Sequence, residues 1–126
     1  MATSIITADV LTGTTTIASG DEVIVAPDVL IFNPTGSAFS LLNGTDRAQL
    51  TNFGTIASGS NAETIRLDSD SSVVVNHGTI SNVGDSDFTA LFELSGGDTS
   101  GSGATPVEIV NYGILESERL LIDIFV

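Results

Sequence analysis

The chain has 126 residues, with 16 acidic side chains against three basic ones and a formal net charge of −13. Such a charge repels nucleic-acid phosphates and anionic membrane surfaces, so we expect no nucleic-acid partner and no membrane insertion. Cysteine is absent, which excludes disulfides, thiolate metal sites and cysteine nucleophiles. The abundance of Val, Ile, Leu, Thr, Ser, Gly and Asn favours strands and turns over helices.

The N-terminal segment, residues 1–28, contains a stretch that predicts strand, turn, strand between residues 14 and 25. We interpret residues 1–28 as an N-terminal coil or cap and residues 29–126 as repeat coils of the same single domain. The first six residues lack the basic region and the long apolar region of a secretory signal.

A five-residue phrase of Asn, a ring-bearing side chain, Gly and, at the fifth position, an aliphatic residue occurs three times. The copies are residues 52–56, 76–80 and 111–115, and residues 33–36 form a degenerate copy. Their Asn residues are separated by 19, 24 and 35 positions. A phrase that recurs at such intervals indicates stacked repeats that bury their apolar faces on one another, with loop insertions between them.

Each repeat contains two predicted strands, one that ends in apolar-x-Asn and one that alternates apolar and polar residues. Alignment of the repeats predicts four inward-facing columns: Leu50, Val74 and Ile109; Ile56, Ile80 and Leu115; Phe39, Ile65, Phe92 and Ile122; and Leu41, Leu67, Leu94 and Ile124. Between the last two columns it predicts an outward ladder of Ser40, Arg66, Glu93 and Asp123. This register places Arg66 beside Glu93.

The Asn residues of the phrase are expected to form a ladder, because each amide can donate to one copy and accept from another. Gly two positions later permits a tight bend at the corner of the coil. The rings between them would form an adjacent stack. The ladder predicted from the sequence consists of Asn33, Asn52, Asn76 and Asn111, and the stack consists of Phe53, His77 and Tyr112.

The three copies of the phrase resemble the Asn-x-Gly-Thr-Ile repeats of autotransporter passenger regions and of large secreted bacterial adhesins. The resemblance covers about residues 29–126. It implies an all-β fold, a right-handed parallel β-helix or β-solenoid, in a protein that is displayed outside the cell or at its surface. With the repeats counted above, we expect about four coils.

Both ends of the chain carry apolar segments that predict an assembly interface. A solenoid end exposes strand edges and a section of the core, and the C-terminal run has no polar cap. Three interpretations stay open: a fragment of a longer solenoid, a subunit that stacks end to end on another copy, or a last strand that packs within the monomer. The predicted interface residues are Ile5, Ile6, Val10 and Leu11 at one end and Leu121, Ile122, Ile124, Phe125 and Val126 at the other.

Two acidic pairs could bind Ca²⁺ through their carboxylate oxygens, or could simply be solvated turn residues. They are Asp68 with Asp70 and Asp85 with Asp87. His77, the single His, is interpreted as a ring in the stack because its repeat equivalents are Phe53 and Tyr112. We predict no catalytic residue and no cofactor apart from this candidate Ca²⁺ site.

The function expected from the sequence is a structural, self-associating extracellular module. Its partner would be a second copy, in a head-to-tail oligomer or fibre, or it would form part of a surface adhesin. The alternative is a carbohydrate- or Ca²⁺-binding module of a secreted protein. A fragment of a polysaccharide-active β-helix enzyme is the third candidate, although the three Arg do not lie beside an acidic pair in a cleft-forming loop.

Overall fold

The computed structural model describes residues 2–42, 47–59, 63–67, 72–84, 90–94 and 107–117, and the backbone of 120–124. All regular structure in these ranges is β-strand. The same ranges contain no helix that is long and apolar enough to cross a membrane. The strands are β1 Thr3–Ile6, β2 Thr15–Ile17, β3 Glu22–Val25, β4 Leu30–Asn33, β5 Phe39–Leu41, β6 Gln49–Asn52, β7 Thr55–Ser58, β8 Ile65–Leu67, β9 Val73–Asn76, β10 Thr79–Asn82, β11 Ala90–Leu94, β12 Glu108–Asn111, β13 Ile114–Ser117 and β14 Leu120–Ile124.

These strands form three sheets, and every pairing between them is parallel. The first sheet has the order β1-β3-β6-β9-β12, the second β4-β7-β10-β13 and the third β2-β5-β8-β11-β14. From β2 onward, each strand therefore pairs with the strand three places later in the chain. The chain visits the three sheets in rotation, and none of the described sheets closes into a barrel. This topology is consistent with a β-solenoid; we call three consecutive strands, one in each sheet, a pass.

The repeat contains three strands, so the two-strand repeat predicted from the sequence is wrong. The predicted first strand is divided at the Asn-ring-Gly corner. Asn52 ends β6 in the first sheet, and Thr55 begins β7 in the second. The corner is closed by the Asn52 side chain, whose Oδ1 accepts a hydrogen bond of 3.0 Å from the Gly54 backbone. Such a local bond from an Asn side chain to the backbone stabilises a turn.

The strand register confirms the four columns predicted from the sequence, and the members whose side chains are described face the core. The register also adds Val23 to the first column and Ile31 to the second. Side chains in the middle of the columns are completely buried, as Leu50, Ile56 and Phe92 show. Parallel strands that are covered on one face by the core in this way gain most of their stability from apolar burial.

The outward ladder of the third sheet also has the predicted register. Arg66 lies opposite Ser40 on one side and opposite Glu93 on the other, and Glu93 lies opposite Asp123. Residues in register on parallel strands point to the same face, so Arg66 and Glu93 lie side by side as expected.

The N-terminal segment joins the same three sheets. The predicted strand, turn and strand between residues 14 and 25 are β2 and β3. Strand β1 pairs with β3 in the first sheet, and Val10 makes an isolated parallel bridge to Ile31 of the second sheet. The first part of the chain is therefore built on the same plan as the repeats.

Ser72, directly before β9, is completely buried, and its Oγ has no hydrogen-bond partner among the described residues. An unpaired buried hydroxyl costs stability. We predict that Ser72→Ala raises the free energy of unfolding by about 1 kcal/mol, as measured by urea unfolding. The exposed Ser4 is a matched control, and Ser4→Ala should change stability by less than about 0.5 kcal/mol. A loss of stability in Ser72→Ala would contradict the unpaired hydroxyl.

Candidate functional site

Three Asn side chains form a hydrogen-bonded ladder across the first sheet. The Nδ2 group of Asn52 donates to Oδ1 of Asn76 at 2.9 Å, and the Nδ2 group of Asn76 donates to Oδ1 of Asn111 at 2.8 Å. Each amide also donates to backbone carbonyls: Asn52 to Gly54 and Thr79, and Asn76 to Gly78 and Ile114. The ladder has a direction, because Asn52 and Asn76 each donate to the rung that follows in the chain.

The glycines of the phrase stack as closely as the Asn residues do. A Cβ atom added at Gly78 would lie 2.0 Å from the carbonyl oxygen of Gly54, and one added at Gly113 would lie 2.1 Å from that of Gly78. Backbone atoms cannot yield at such distances, so only Gly fits at these two corners. The repeated Gly is required by this close approach between passes.

The rings between Asn and Gly form a continuous stack on the surface. The ring centroids of Phe53 and His77 are 4.8 Å apart with planes 9° from parallel, and those of His77 and Tyr112 are 5.0 Å apart and 15° from parallel. His77 therefore lies between two rings, where the sequence placed it. The faces of the rings cover one another, and among the described residues no further ring is stacked on Phe53 or Tyr112.

The assignment of Asn33 to this ladder is wrong. Asn33 ends β4 in the second sheet and lies opposite Ser58, while Val25 occupies the position next to Asn52 in the first sheet. The degenerate copy at residues 33–36 matched the phrase in residue type, but it forms the corner between the second and third sheets. There the Nδ2 group of Asn33 donates to the Ser37 carbonyl at 2.8 Å.

Asn33 belongs to a second polar column that the sequence analysis missed, made of Asn33, Ser58, Asn82 and Ser117. Asn82 donates to Ser58 Oγ at 3.1 Å and accepts from the Gly84 backbone at 2.9 Å. The signal was present in the sequence, because Asn82, Val83 and Gly84 repeat the Asn-x-Gly pattern six residues after Asn76.

The columns lose their cover at β12 and β13. Asn52 and Asn76 are completely buried, whereas Asn111 is exposed. The neighbouring ring of Tyr112 is 72% exposed. The inward residues Ile109 and Leu115 are only partly buried, although the preceding members of their columns, Val74 and Ile80, have no exposed surface. The described residues therefore leave the C-terminal end of both sheets open to solvent.

At the other end, the four predicted N-terminal interface residues do not share one face. Ile6 and Val10 are partly buried and pack against the core. Ile5 lies in register with Ile24 on the outer face of the first sheet and is 62% exposed, and Leu11 is 57% exposed in the bend after Val10. Because successive residues of a strand point to opposite faces, Ile5 and Ile6 cannot both face the end of the core.

Several candidate residues are only partly described or not described. Leu121, Ile122 and Ile124 lie on β14, whose backbone pairs with β11, but their side chains are outside the described part. Phe125 and Val126 and the candidate Ca²⁺ ligands Asp68, Asp70, Asp85 and Asp87 lie outside the described residues. Within the described ranges, no group of three or more His, Asp or Glu side chains is placed to hold a metal ion.

Comparison of the chain with protein-family models, with curated proteins and with solved structures found no match.

The ladder makes a prediction that compares two of its rungs. Asn76→Ala should lower the free energy of unfolding by about 1–3 kcal/mol, because it removes both the acceptor of the buried Asn52 amide and the donor to Asn111. Asn111→Ala removes the same side chain from an exposed rung, so its effect should be smaller, about 0.5–1.5 kcal/mol. Urea unfolding of both variants measures the difference. Equal losses of stability would mean that the contribution of a ladder Asn does not depend on its burial.

The ring stack makes a second prediction. His77→Ala removes two ring contacts and should destabilise the chain by about 1–3 kcal/mol, since each aromatic pair contributes about 0.5–1.5 kcal/mol. His77→Phe keeps both contacts and should leave stability nearly unchanged in the same urea experiment. If His77→Phe were as unstable as His77→Ala, His77 would act through its imidazole nitrogens and not as a stacked ring.

Proposed function

We propose that this chain is a structural module, a right-handed parallel β-solenoid of about four repeat coils with an N-terminal coil at residues 1–28. Its function is to extend an extracellular fibre or surface adhesin, because the strands at its ends pair with strands of a neighbouring module. The observation that carries the proposal is the change of burial along one column, from fully buried Asn76 to exposed Asn111.

The open strands have the chemistry required for strand addition. β12 and β13 are each paired on one side, to β9 and β10, in the described residues. An unpaired strand edge offers backbone N–H and C=O groups to a further strand. Here the partly buried Ile109 and Leu115 also offer apolar surface beside that edge. A strand added at this end would pair its backbone and cover the core in a single step.

The charge of the chain bears on the conditions of assembly. A net charge of −13 makes two copies repel each other, and the exposed Glu108 and Glu116 lie on the open strands. Salt or divalent cations screen such repulsion. End-to-end association, with a second copy as the partner, should therefore strengthen as ionic strength rises.

The test is sedimentation velocity and negative-stain electron microscopy of the purified chain over a range of NaCl and CaCl₂ concentrations. We expect multimers or fibres of one constant width that increase with salt. Small particles of a single size under all conditions would contradict self-association of the chain.

Two adjacent substitutions on β12 show whether the open end is the surface used. Ile109 faces the core and Val110 faces outward, and both are partly buried. Ile109→Lys places a charge in the end of the core and should abolish multimers. Val110→Lys makes the same change of charge on the outer face and should leave them. Circular dichroism of both variants controls for folding, and equal loss of multimers would place the contact elsewhere.

A further inference from the structure

The open edge at β12 and β13 has features that specify the sequence of the strand it accepts. We infer that this edge selects a strand that carries the Asn-ring-Gly phrase. The phrase of the added strand would lie over residues 111–113. The inference rests on the part of the proposed function that assigns strand addition to this edge, and it ranks a second copy below a strand that carries the phrase.

The first feature is the unfilled hydrogen-bonding capacity of Asn111. The Nδ2 group of Asn76 has three acceptors, and two of them, Asn111 Oδ1 and the Ile114 carbonyl, come from the following pass. Asn52 is arranged in the same way. The Nδ2 group of Asn111 donates only to the Gly113 carbonyl within the described residues. A strand with a side-chain oxygen at the Asn position would supply the acceptor at the next rung.

The second feature is steric. At the two existing contacts between passes, a Cβ atom on the later residue would lie 2.0 and 2.1 Å from the carbonyl oxygen of the preceding Gly. A strand added in the same register would bring its own corner residue over the Gly113 carbonyl at a similar distance. Any residue with a Cβ atom is excluded there, and Gly is accepted.

The third feature is the ring of Tyr112, which is 72% exposed. One face of this ring is covered by His77, and no described residue is stacked on the other face. A ring between the Asn and the Gly of an added strand would continue the stack. Asn, ring and Gly are thus each matched by a separate feature of residues 111–113.

The N-terminal strand of a second copy fits this edge poorly. Ile6 lies in register with Val25, which lies in register with Asn52, and Val10 bridges Ile31, which lies in register with Ile56. Residues 6–10 therefore occupy the place of the phrase at residues 52–56.

In that place the N-terminal segment has Ile6 instead of Asn, Thr7 instead of a ring and Ala8 instead of Gly. Head-to-tail stacking in the same register would put an aliphatic side chain on the Asn111 amide and the Ala8 Cβ atom on the Gly113 carbonyl. Self-association in this register should therefore be weaker than pairing with a strand that carries the phrase.

The test uses the full chain and a fluorescent peptide with the sequence of residues 73–82, which spans β9, the corner and β10. The control peptide has Ile and Ala in place of the Asn and the Gly of the phrase, as in residues 6–10. Fluorescence anisotropy should show at least tenfold tighter binding of the first peptide. Asn111→Ala in the full chain removes an exposed side chain of the ladder. This variant should bind the first peptide no more tightly than the unchanged chain binds the control peptide.

Equal binding of the two peptides, or unchanged binding to Asn111→Ala, would overturn the selection by the phrase even if the chain forms multimers. Binding of the first peptide to a chain that stays monomeric at every salt concentration would support the selection and contradict self-association. The two proposals therefore fail separately.

Discussion

The hydrogen bond from one Asn amide to the next is the interaction on which the arrangement of this chain depends. It forms only if the Asn residues of successive passes lie in register, and the same Asn closes the corner by accepting from the Gly two residues later. The corner then separates two strands that belong to different sheets. A single side chain thus fixes both the turn within a pass and the alignment between passes. Because it is buried, an error in register would leave polar groups unpaired in the core.

Much of the fold could be predicted from the sequence because the repeats are aligned by residue type. Apolar positions that recur at equivalent places, such as Leu50 and Val74, must face the same core, whatever the length of the loops between them. The number of strands could not be predicted in this way. It depends on the bend at the Asn-ring-Gly corner, where Gly78 closely approaches the Gly54 carbonyl of the preceding pass, and a close approach between passes has no signature in a single repeat.

The candidate site was predictable where the phrase was complete and misleading where it was degenerate. Asn33 resembles the ladder residues in type, but the register places it at the other corner of the pass. Ile5 and Ile6 look equivalent in composition, yet alternation along β1 sends one outward and the other toward the core. The ends of a repeat array are the hardest part to predict, because there the sequence changes while the fold continues.

The pairing of each strand with the strand three places later also has a mechanical consequence. Tension applied to the two ends of the chain would load the outermost strands first, since the inner ones are held on both sides. The bonds of one pass would open while the ladder beneath it stayed closed. Successive rungs of that ladder are 24 and 35 residues apart, so each released pass would add about 80 to 120 Å of extended chain. The chain would thus lengthen in discrete steps under load, as an extensible tether does.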